Sequence, residues 1–143
     1  MSPKCTEFVE RLSALNPSPD DYTLEGALYE LCELLKGETD STEVVPHIFR
    51  FIEAPPSCDL GSPGPLVHFI ESCQGYQAEL IASVQRKPTP ITAWMVNRVL
   101  NSNLSAERRV FFLSLLKSIV TNPEASGTTK GEAGGFLEFQ SSK

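Results

Sequence analysis

The chain has 143 residues, 41% of them hydrophobic and 21% charged, with a formal net charge of −6. That length suits one domain with its own core, and no apolar run approaches the ~20 residues that cross a bilayer. The acidic balance argues against nucleic acid as a partner, because such binding rests on neutralising phosphates.

The N-terminal residues include Glu7 and form no apolar stretch, so no signal peptide is expected and the chain reads as cytoplasmic. Apolar spacing then predicts helices nearly throughout. The first covers about Pro3 to Leu15, with Phe8, Leu12 and Leu15 on one side and Pro3 in the first turn. Asn16-Pro17-Ser18-Pro19 breaks it. A second runs from about Tyr22 to Lys36, entered through Asp20-Asp21, lined by Leu24, Leu28, Leu31 and Leu35 and stopped at Gly37. The third follows a cap at Ser41 or Thr42 and buries Val45, Ile48, Phe49 and Ile52, which requires Pro46 to lie in its first turn.

Residues 55–65 are rich in proline and predict a non-helical crossing. Helices follow from Pro65 to Ser72, from Tyr76 to Arg86 and, capped by Thr89 or Thr92, to about Ser102. Ser105 caps the last, which reaches Thr121 and carries Val110, Phe112, Leu113, Leu116, Ile119 and Val120 inward. From Asn122 the composition turns to Gly, Ser, Thr and Glu, as in flexible segments, although Phe136, Leu137 and Phe139 offer docking points. The expected fold is all-α: a single helical domain over residues 1–121, about seven short antiparallel helices in a HEAT-like stack, with a flexible tail over 122–143.

Catalytic constellations are sparse. The four cysteines, at 5, 32, 58 and 73, form no Cys-x-x-Cys pair, so free thiols are expected rather than a zinc or redox site. His68 and Cys73 are five positions apart, on different faces of a helix, and His47 has no partner at zinc spacing. No phosphate-binding loop, nucleophile elbow, metal site or cofactor motif occurs. Trp94, Asn97, Arg98 and Asn101 recur at helical spacing. They read either as a recognition patch or, in preference, as a structural motif, with Trp94 in the core and the polar members tying down loop carbonyls or a carboxylate such as Glu71.

Charge is distributed unevenly. Residues 1–71 hold thirteen acids against four bases, a net −9, whereas 72–143 hold five acids against eight bases, a net +3. An acidic face around the second helix, comprising Asp20, Asp21, Glu30, Glu33, Glu38, Asp40 and Glu43, would attract a basic protein.

Gly64-Pro65-Leu66-Val67-His68, Glu71, Tyr76, Ser83-Val84, Pro88, Trp94-Met95, Asn97-Arg98 and Leu100-Asn101 span about a third of the chain. Together they resemble a family of small all-helical immunity proteins that bacteria make against polymorphic toxins, including those of contact-dependent growth inhibition. The resemblance implies a binding protein rather than an enzyme. Its partner would be a cognate toxin C-terminal domain, neutralised by stoichiometric occlusion, and the charge points to a basic toxin such as a nuclease. Two alternatives are a generic helical adaptor and a small hydrolase using Cys73 or Cys58 with a histidine.

Overall fold

Four helices begin around a proline in their first turn, at Pro3, Pro46, Pro65 and Pro90. The missing N–H is no loss there, and the fixed φ already suits a helix. The computed structural model describes residues 1–18, 20–54, 60–61 and 63–143, and every regular element among them is helical. In chain order these are α1 (Pro3–Ala14), α2 (Leu24–Cys32), α3 (Val45–Glu53), α4 (Gly64–Ser72), α5 (Tyr76–Arg86), α6 (Pro90–Leu100), α7 (Ala106–Thr121) and α8 (Gly127–Ser141), with short 3-10 segments at Glu33–Leu35 and Ser41–Val44. Most of the crossing expected over 55–65, and part of the break after Asn16, lie outside the described residues.

Helix packing divides the chain into two units, Met1–Glu79 and Leu80–Lys143. In the first, α1 packs on α2, α3 and both 3-10 segments, and α2 packs on α4. Leu24, Leu28, Leu31 and Leu35 all turn inward, as their spacing predicts, and join buried Phe8, Leu12, Ile48, Phe49, Leu66 and Ile70. Each such side chain contributes about 1.5–3 kcal/mol on burial. Gly37 and Gly75, at φ of 78° and 79°, turn the chain after the Glu33–Leu35 segment and after α4 in a conformation that side chains rarely adopt.

The second unit contains the remainder of α5 with α6, α7 and α8. Ser105 caps α7 by accepting from the Arg108 N–H, and Thr89 and Thr92 form a reciprocal capping box at the start of α6. Met95, Val96, Val99, Leu100, Phe112, Leu116, Ile119 and Ala133 are buried here.

Two expectations need correction in this unit. The segment from Asn122 is not a flexible tail: Ser126 caps a helix of 15 residues that packs on both α6 and α7. Ala133 and Gln140 sit on its covered side, so tertiary contact overrides a composition poor in helix formers. Nor are all the apolar residues of α7 inward. Val110 is 67% exposed and Val120 37% exposed, because apolar residues surround this helix while only the Phe112/Leu115/Leu116/Ile119 side is buried.

Candidate functional site

The seven acidic residues singled out from the sequence belong to the first unit and fall into two groups. Asp20, Glu30, Glu33 and Glu43 are exposed. Of these, Glu33 meets Lys36 at 2.9 Å across one turn, a solvated pair of the kind that contributes little to stability.

Asp21, Glu38 and Asp40 are half-buried. Asp21 accepts from the Thr23 hydroxyl at 2.6 Å and from the Thr23 N–H at 2.9 Å, which holds the turn into α2. These bonds favour the ionised form and set its pKa below the usual carboxylate value. Asp40 accepts from the Ser2 N–H at 2.6 Å and from the Cys5 thiol at 3.3 Å, which likewise lowers its pKa. Ser2 is itself the N-cap of α1, so Asp40 fixes the start of that helix from 38 residues away.

Cys5, Glu38 and Asp40 place one sulfur and two carboxylate oxygens within 4.8 Å of one another. Cys5 is fully buried, and burial pushes its thiol pKa up. In this arrangement the Cys5 thiol donates to Asp40, and that hydrogen bond holds the two groups together.

The other thiols are equally far from activation. Burial raises Cys73, whose Sγ donates to the Phe69 carbonyl one turn back, and pushes Cys32 up to about 11. Both histidines are exposed. Cys58, the other nucleophile considered, lies outside the described residues.

Along α6 the sequence motif separates by face. Trp94 is half-buried rather than a core residue, with the Arg98 guanidinium 5.6 Å from its ring centroid. This arrangement leaves one side of the indole to a cation and to water, in contrast to the buried Met95 and Val96 beside it. Asn97 is buried, and its Oδ1 accepts from Gln140 Nε2 at 2.7 Å. Gln140 Nε2 also reaches Asn101 Oδ1 at 2.9 Å, and Lys143 Nζ donates to the same oxygen at 2.8 Å. The asparagines therefore serve α8 rather than a loop.

Arg109 completes this network. Its guanidinium donates to the Leu100 carbonyl at 3.2 Å, to the Gln140 carbonyl at 3.1 Å and to Gln140 Oε1 at 3.2 Å. Leu100 is the last residue of α6, and Gln140 lies in the last turn of α8. One cation thus caps orphan carbonyls at the negative ends of two helices. Arg109 and Gln140 escape the sequence reading because they lie 31 residues apart, with Gln140 inside a presumed tail. A detectable signal did exist: Ser126 at a cap position, then Thr129, Ala133 and Gln140 on one face at helical spacing.

Comparison with protein-family models, curated proteins and solved structures returns no match for this chain.

Proposed function

We propose that this chain is an immunity protein that binds and neutralises a cognate toxin domain, basic in character, by stoichiometric occlusion. The reading rests on the uneven charge. The unit Met1–Glu79 carries fourteen acids against four bases, a net −10, and Leu80–Lys143 carries four against eight, a net +4. Asp20, Glu30, Glu33 and Glu43 are exposed and present that charge to solvent. Exposed acidic charge of this kind raises the rate of encounter with a basic partner, an effect that salt screens over about 8–10 Å. Helix-borne apolar contacts would then set the lifetime of the complex. The resemblance carried by the motifs from Gly64 to Asn101 points the same way, and of the two thiols considered for hydrolysis Cys73 has its pKa raised by burial.

The test is a search of neighbouring genes for a toxin domain and co-expression with it, followed by stopped-flow association. Reversing Glu30 and Glu33 to Lys is expected to slow association about ten-fold at low salt, with the defect shrinking as salt rises. The same reversal at Glu124 and Glu132 should have little effect. Failure to protect cells from that toxin, or equal effects of the two reversals, would reject the proposal.

A second reading, a helical adaptor, draws on exposed Val110, Phe111 and Val120 along α7. Replacing all three with Ser distinguishes the two, since the immunity reading places docking on the acidic unit.

A further inference from the structure

Helix α8 contains four glycines, Gly127 in its first turn and Gly131, Gly134 and Gly135 further in. Each interior glycine disfavours a helix about four- to five-fold relative to alanine, so the three together weaken this one on the order of a hundred-fold. Nothing in the packing demands them. A Cβ added at any of the four would meet no heavy atom within 4 Å, and none of the four has positive φ. They line the side of α8 opposite Thr129, Ala133 and Gln140, which are buried. The helix therefore carries its poorest helix formers where alanine would fit without cost.

A helix of 15 residues with this composition does not hold its shape alone. Its order comes from packing on α6 and α7 and from the bonds at its last turn. Arg109 holds the Gln140 carbonyl and Oε1, and Asn97 and Asn101 accept from Gln140 Nε2. At its first turn the side chains of Ser126 and Thr129 bond each other, a local cap. The polar attachment is thus concentrated at its last turn, while Thr129 and Ala133 are buried nearer its start.

We propose that α8 is a strap, latched at its C-terminal end by Arg109, Asn97 and Asn101, that opens as one segment while α6 and α7 stay folded. Opening uncovers the side of α6 and α7 that α8 covers and frees the Arg109 guanidinium from Gln140. This device is independent of the toxin reading, and its test needs no partner.

Hydrogen exchange of the full chain, followed by mass spectrometry or NMR, decides the matter. Amides of residues 131–141 should exchange through a common opening at least ten-fold faster than the buried amides around Phe112–Ile119. Gly131→Ala, Gly134→Ala and Gly135→Ala combined should slow exchange in α8 on the order of a hundred-fold, and these substitutions favour folding, so the variant stays measurable. Gln140→Leu should speed exchange in α8 more than in α7. Equal protection of α8 and α7 in the wild type would overturn the proposal, as would an alanine variant whose α8 exchanges at the wild-type rate.

Discussion

The two units hold themselves together in different ways. In Met1–Glu79 the helices have 9–12 residues, the turns are set by proline and glycine, and the side-chain hydrogen bonds are mostly local. Among the described residues, the bonds from the Ser2 N–H and the Cys5 thiol to Asp40 depart from that pattern. In Leu80–Lys143 the helices reach 15 and 16 residues, and a polar network crosses three of them. The first unit relies on apolar stripes cut to length by stop signals. The second adds a shared guanidinium to tie down a helix that would not form alone. Units of similar size can therefore take their order from local chemistry or from distant partners, and the two choices respond differently to substitution.

The largest expected effects fall on the cores and should be alike in both units. Phe49→Ala in α3 and Phe112→Ala in α7 each empty a site with no solvent exposure and should cost about 3–5 kcal/mol, read from denaturant melts. A much smaller loss at one of them would show that unit to be loosely packed. The polar contrast comes next. Arg109→Met strips partners from two helix-end carbonyls and should cost about 1–3 kcal/mol. Arg11→Met, which breaks only the exposed pair with Glu7, should cost under about 1 kcal/mol. Equal losses would erase the distinction between local and distant polar contacts.

Trp94→Ala should cost about 2 kcal/mol, less than a fully buried tryptophan, because the ring is half-buried beneath Arg98. A loss above about 4 kcal/mol would return Trp94 to the core.

The smallest effect concerns pH. Asp40 has its pKa lowered in the folded chain by the Ser2 N–H and the Cys5 thiol. Its contribution is then complete above the ordinary carboxylate value near ~4 and is lost as pH falls through the lowered folded value. Wild type and Asp40→Asn should therefore differ in melting temperature at pH 7 and converge in acid. A gap that persists at pH 2 would mean that the carboxylate charge is irrelevant.

Sequence reasoning reached the helical class and most helix limits because those signals are local. Leu24 to Leu35 declare one face, Ser105 and Thr89 declare starts, and Pro46 fits only in a first turn. It read Asp20-Asp21 as capping the entry to α2, where Asp21 accepts from the Thr23 N–H, but not that Asp40 is engaged in hydrogen bonds, since its partner Ser2 lies 38 positions away. It missed α8 because three interior glycines outweigh one cap when propensity is summed along a window. What makes that helix is a surface supplied by α6 and α7, and no local composition records it. Trp94 was misplaced for a related reason: spacing puts it on a face but does not say how deeply that face is covered.

The separation of Asn97 from Gln140, 43 residues, also has a meaning in time. A ribosome adds about 5–20 residues per second, so α6 leaves the exit tunnel some 2–9 s before the segment that will cover it. During that interval the nascent chain carries an uncovered apolar side and a buried-to-be asparagine with only water to bond. Slower synthesis lengthens that interval, so the exposure of this unit during synthesis depends on a rate as well as on the equilibrium opening of α8.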